Sequence, residues 1–138
     1  PLVDELCRYG AQRLVQPRLG QGTFRLAVTG AYGACAVSGE HSLPALEAAH
    51  VRPYADGGAH ALPNGLLLRA DIHRLYDAGY VTVTPDHRFC VSRDLVEEFH
   101  NGREYERFAG HTITVPNALT DQPDPDLLEW HAAEVFRG

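Results

Sequence analysis

One stretch limits the fold more than any other. Residues 46–79 run as a short apolar segment, a polar loop, a second apolar segment and a helix signal. Leu46 to Val51 reads as a strand, and Arg52 to Pro63 is a loop carrying Pro53, Gly57 and Gly58. Asn64-Gly65 then opens the run Leu66-Leu67-Leu68, a second strand. Asp71 is a good N-cap for a helix over Ile72 to Ala78, closed by Gly79. A strand, loop, strand and helix of this size bury little by themselves. They need a bound group at their centre or flanking helices for support.

The flanks supply candidates. Thr23 is positioned to cap a helix through Phe24, Val28 and Tyr32 that ends at Gly33, and Gly33 to Gly39 reads as a tight knuckle. Beyond the central unit, Tyr80–Thr84 and Arg88–Ser92 alternate around Pro85-Asp86, a hairpin signal. Asp94 to Phe108 reads as a helix or two short ones, Pro116 to Asp126 as a loop, and Leu127 to Phe136 as a last amphipathic helix. Phe24, Tyr32, Leu66, Leu67, Leu68, Leu75, Tyr76 and Phe89 are the expected core. The fold class is α+β. Residues 1–21, with a short helical pattern from Val3 to Leu14 and then Pro17 and Gly20, read as an arm or linker, and residues 22–138 as one domain. The chain opens on Pro1 and contains no Met, so it is expected to be a piece of something longer.

Charge is distributed unevenly. The net charge of −6 comes from the C-terminal third: residues 1–93 hold nine Arg against eight acids, whereas residues 94–138 hold three Arg against ten. The first part can approach a polyanion and the last cannot. All twelve basic residues are Arg, the side chain suited to bidentate phosphate contacts, although a GC-rich coding bias is the better account because it needs no mechanism. Cys7, Cys35 and Cys90 are odd in number and far apart, which argues for free thiols in a cytoplasmic protein. No segment approaches the roughly 18 apolar residues of a membrane helix.

Four residues stand out by type and place: His50, Asn64, His73 and Asp77. His73 and Asp77 are four apart on the expected helix, which puts them on one face with Cβ atoms about 6 Å apart. An imidazole and a carboxylate so arranged are half of a divalent-cation site. His50, at the end of the preceding strand, can point to the same place, and an imidazole with a pKa near ~6.5 is suited to taking a proton from water. Taken singly, each has a plainer reading. His50 is an ordinary strand-end histidine, Asn64-Gly65 a turn, and Asp77 a surface partner of Arg74. His60, in the loop, has a phosphate contact as one reading and solvent exposure as the plainer one, and His41, His87, His100, His111 and His131 are read as structural or surface groups.

Together, Leu46-Glu47-Ala48-Ala49-His50-Val51-Arg52-Pro53, Gly57-Gly58, Asn64-Gly65-Leu66-Leu67-Leu68-Arg69 and Asp71-Ile72-His73-Arg74-Leu75-Tyr76-Asp77 resemble the HNH endonucleases, whose site is a ββα-metal unit. The intervals, 14 residues from His50 to Asn64 and nine from Asn64 to His73, suit that motif. The resemblance is strongest to the restriction-type branch, in which the domain often follows one that reads modified DNA. It implies hydrolysis of DNA phosphodiester bonds with a divalent ion (Mg, Mn, Ni or Zn), leaving 5′-phosphate and 3′-hydroxyl ends. His50 would be the general base and Asn64 would pin the loop that holds it. His73 and Asp77 would bind the metal, with Glu47 able to reach in, and Arg52, Arg69 and Arg74 would contact phosphate. DNA, a recognition domain and a second copy of the chain are the implied partners. Two departures stand out. Ala49 occupies a position often held by a ligand, and Cys35-Ala36-Val37-Ser38-Gly39 keeps one cysteine where many relatives have two, so structural zinc is not expected. Two other uses stay open: an effector nuclease in an antiphage signalling system, and a degenerate scaffold that only binds nucleic acid or protein.

Overall fold

A computed structural model describes residues 19–138, so the helical pattern from Val3 to Leu14 and Cys7 lie outside the described residues. The central unit is two antiparallel strands and a helix: β1 (Leu46–His50), β2 (Gly65–Arg69) and α2 (Ala70–Ala78). The register pairs Leu46 with Arg69, Ala48 with Leu67 and His50 with Gly65. It extends by one more bond, from Val51 N–H to the Asn64 carbonyl at 2.9 Å.

β2 is buried along both faces, which explains its unbroken apolar run. Leu67 packs with Phe24, Val28 and Leu62 under helix α1 (Gln21–Tyr32). Leu66 and Leu68 face the other way, into the main core with Ala49, Ile72, Tyr76, Val81 and Phe89. The flanking helix therefore supplies the support that a lone ββα unit lacks. α1 lies so close to the sheet that a Cβ on Gly65 would meet Val28 Cγ2 at 2.5 Å and the Phe24 ring at 3.1 Å. Position 65 must be glycine for that contact. Helix α1 starts at Gln21 with Gly20 as N-cap, so Thr23 falls inside the first turn rather than capping it.

Asp71 likewise lies inside the first turn of α2, with Arg69 at the N-cap position. Its carboxylate is taken up instead by the Arg69 guanidinium at 2.7 and 3.0 Å and by the Tyr105 hydroxyl at 2.7 Å. A bidentate arginine outcompetes the local backbone for an acid at that position.

The second hairpin, β3 (Val81–Val83) and β4 (Phe89–Val91), forms at the expected place over a shorter span, with all three residues of β3 buried rather than alternating. α3 (Arg93–Glu98) is capped by Ser92 Oγ, which accepts from Asp94 N–H at 3.1 Å, and a 3-10 stretch continues over His100–Phe108. The segment is thus two short pieces. Helix α4 (Pro125–Glu134) begins two residues before the expected Leu127, because Asp124 Oδ1 accepts from Asp126 N–H at 2.9 Å and Pro125 fits the first helical position. It lays Leu128 and His131 into the core. Cys35 is buried and Cys90 half-buried, both as free thiols. Cys35 Sγ, in the knuckle, accepts from the N–H groups of Ser38 and Arg69, each at 3.3 Å. No helix among the described residues is long and apolar enough to cross a membrane.

Candidate active site

β1 delivers His50 to its C-terminal end, on the face covered by α1. There the imidazole stacks on Phe24, with ring centroids 4.2 Å apart and planes 13° from parallel. The loop after β1 returns to the same place and brings His60, whose Nδ1 lies 2.8 Å from His50 Nε2. Tyr54 covers His60 from the other side at 4.6 Å and 4°. Burial, then the neighbouring imidazole of His60, lower the pKa of His50 and favour its neutral form.

Asn64 holds that loop. The side chain is 2% exposed, and its three hydrogen bonds all go to the backbone: Oδ1 accepts from Arg52 N–H at 2.8 Å, and Nδ2 donates to the carbonyls of Arg52 and Ala59, both at 2.9 Å. The loop folds back so tightly that a Cβ on Gly58 would lie 1.8 Å from the Arg52 carbonyl oxygen. The Asn64 amide is committed to the backbone on every side, and glycine at 58 leaves the room for it.

α2 contributes the opposite wall. His73 Nδ1 is 2.7 Å from Glu47 Oε1, and its Nε2 is 3.1 Å from Asp77 Oδ2. Those two carboxylates raise the His73 pKa, Asp77 most strongly. Glu47, His73 and Asp77 therefore stand in a row, carboxylate, imidazole, carboxylate, rather than around a common point. Among the described residues, no group of three or more His, Cys, Asp or Glu side chains forms a ready metal cage. The donor chemistry nevertheless suits a divalent ion. An imidazole with an anionic oxygen at each nitrogen needs a positive charge, either a second ring proton or a cation in its place on the Asp77 side.

The two walls share a cavity of about 720 Å³, with His50, Tyr54 and His60 on one side and His73, Asp77 and His131 on the other. An adjoining cavity of about 500 Å³ shares His50 and His73 and adds Glu47 and Arg25. The structure thus brings His50, His73, Asp77 and Glu47 together. Asn64 stands behind them.

The three arginines are not so gathered. Arg52 donates from Nε to the Asp56 carbonyl at 2.6 Å and lies over the Trp130 ring at 4.8 Å. Arg69 is tied to Asp71 and lines a separate small cavity with Ser38, Glu40 and Arg107. Arg74 is exposed on α2. Ala49 is fully buried in the main core.

His60 is the residue that sequence reasoning missed. It belongs to the site, half-buried between Tyr54 and His50, and nothing in its spacing within the loop signals that. His131 fits its structural reading, being 2% exposed. Its Nε2 donates to the Tyr76 carbonyl at 2.8 Å, its Nδ1 accepts from Thr82 Oγ1 at 2.7 Å, and burial lowers its pKa.

Comparison with known proteins agrees with this geometry. Residues 35–84, which contain β1, β2, α2 and β3, match the HNH endonuclease family. A modification dependent TagI restriction endonuclease has a similar structure, with a TM-score of 0.57 and 18% sequence identity; the likeness covers 82% of this chain and 37% of that one. The chain thus corresponds to little more than a third of that enzyme's length. No curated protein matches it by sequence. The segment that builds the site is thus similar to the HNH endonuclease family.

Proposed function

We propose that this domain hydrolyses DNA phosphodiester bonds with the help of a divalent metal ion, as the cleavage part of a restriction-type enzyme acting in the cytoplasm. One observation carries the reading: the neutral-favoured imidazole of His50 and the His73–Asp77 pair open onto one cavity. His50 takes the proton from the attacking water, which its lowered pKa leaves it free to do at neutral pH. His73 Nε2 and the Asp77 carboxylate hold the ion, while Glu47 accepts from His73 Nδ1–H and so turns Nε2 outward. The bound ion supplies Lewis-acid stabilisation of the charge that develops on the phosphate. Asn64 keeps the loop behind His50 in place.

The charge balance supports a separate recognition unit. With a net charge of −6, the chain attracts DNA poorly by long-range forces, so targeting falls to another domain or chain. One such site cuts one strand, and a double-strand break calls for two copies. The test is cleavage of plasmid DNA carrying modified and unmodified bases, with Mg²⁺, Mn²⁺ or Ni²⁺. The intact chain is expected to nick or cut only with metal, and His50→Ala to lower the rate about a thousandfold, the middle of the range for loss of a general base, with folding kept. Wild-type cleavage by His50→Ala removes this reading.

A further inference from the structure

His60 lies outside the expected set, and its contact with His50 is specific. We propose that His60 is a positioning residue that fixes the ring tautomer of His50. The inference rests on the nuclease reading above and adds a residue to it.

Two neutral imidazoles with nitrogens 2.8 Å apart share one hydrogen between His50 Nε2 and His60 Nδ1. If His60 donates it, His50 must carry its own proton on Nδ1 and has no lone pair left for water. If His50 donates it, Nδ1 is bare and basic. The second arrangement is the one the chemistry uses, and it requires His60 to be protonated on Nε2 and to accept at Nδ1. When His50 then takes a proton from water on Nδ1, the charged ring donates through Nε2–H to a neutral acceptor. Such a bond is stronger than its neutral counterpart.

The surroundings of His60 hold it to that role. Tyr54 stacks on it almost parallel, and Phe24, which also stacks on His50, lies tilted at 6.0 Å. Its own carbonyl accepts from Leu19 N–H at 2.6 Å. The carbonyl of the preceding residue, Ala59, accepts from Asn64 Nδ2 at 2.9 Å. Asn64 therefore reaches His50 by way of Ala59 and His60, and the loop it pins is the loop that orients the base.

Two substitutions separate positioning from packing. His60→Phe keeps a flat ring for Tyr54 and removes the acceptor. His60→Asn loses the ring and returns an acceptor, Oδ1, near the place of Nδ1. Under the proposal, His60→Phe loses about ten- to a hundredfold in kcat with KM little changed, the range seen when an imidazole loses its orienting partner, and His60→Asn recovers most of it. A purely structural role reverses that order, with His60→Phe active and His60→Asn impaired, and overturns the proposal. Nitrogen-15 chemical shifts of the His50 ring in the metal-free chain need no activity. Wild type is expected to show a bare Nδ1 and a protonated Nε2, and His60→Phe a mixture of tautomers. A protonated Nδ1 in wild type overturns the proposal. If His50→Ala leaves cleavage intact, the nuclease reading fails; if His50→Ala abolishes cleavage and His60→Phe matches wild type, only the role of His60 fails.

Discussion

The two walls of the cavity treat the same side chain in opposite ways. On the strand side His50 is pressed between Phe24 and His60, and burial and a like neighbour lower its pKa. On the helix side His73 lies between Asp77 and Glu47, and the carboxylates raise it. An imidazole among aromatic rings stays neutral and can accept a proton, while one among carboxylates calls for a cation. The division of labour in the site is thus set by what stands next to each ring, a few ångströms away.

The steepest way to break that contrast is to loosen the strand-side wall. Asn64→Ala leaves the Arg52 N–H and the Arg52 and Ala59 carbonyls without their partner, at a cost of about 3 kcal/mol, or about 10 °C in Tm by the entropy scale for this chain length. Thermal unfolding followed by circular dichroism checks it, and a Tm within a degree or two of wild type would sink the pinning role. Glu47→Gln acts on the other wall. It keeps the shape next to His73 Nδ1 and removes the charge, so Mn²⁺ binding measured by calorimetry is expected to weaken about 10- to 100-fold. Unchanged affinity would take Glu47 out of the site.

Asp71→Asn lies outside both walls. The Arg69–Asp71 pair is partly exposed, and its loss is expected to cost about 1 kcal/mol after solvent screening. The carboxyl itself is held down at about 2 by Arg69 and Tyr105, so its contribution is present above the ordinary value of 3.8 and is lost as pH falls toward about 2. Cleavage should be unaffected; a loss as large as that of His50→Ala would bring Arg69 to the substrate after all.

The gentlest effect is a pH slope. His131, like His50, has a pKa lowered by burial from an ordinary value of 6.5, so between its folded value and 6.5 the unfolded chain binds more protons. Its share of stability is full above about 6.5 and is lost as pH falls below that. In urea titrations across this range His131→Gln should show a shallower acid loss than wild type, and parallel curves would show that His131 takes up its proton alike in the folded and unfolded chains.

Local signals made much of this legible. The short apolar segment at Leu46 to Val51, the Leu66-Leu67-Leu68 run and the stop at Gly79 located β1, β2 and α2, and four-residue spacing put His73 beside Asp77. The helix starts were less legible. Thr23 and Asp71 have good capping chemistry, but Gly20 precedes one and Arg69 captures the other. Arg69 shows the same limit at the site. As the last residue of β2 it looked available to phosphate, and Asp71 two residues on, itself held by Tyr105 from far along the chain, ties it elsewhere.

The sequence by itself determined the order of elements and the kinds of side chain the site would hold, because period and spacing act within a few residues. Only the tertiary structure decided which nitrogen of each histidine is engaged, that His60 stands behind His50, and that Glu47 meets His73 across 26 positions of chain. Those outcomes depend on how the loop folds back over Gly58 and how α1 seats on Gly65. Contacts of that kind arise when distant segments close-pack, and no local period encodes them.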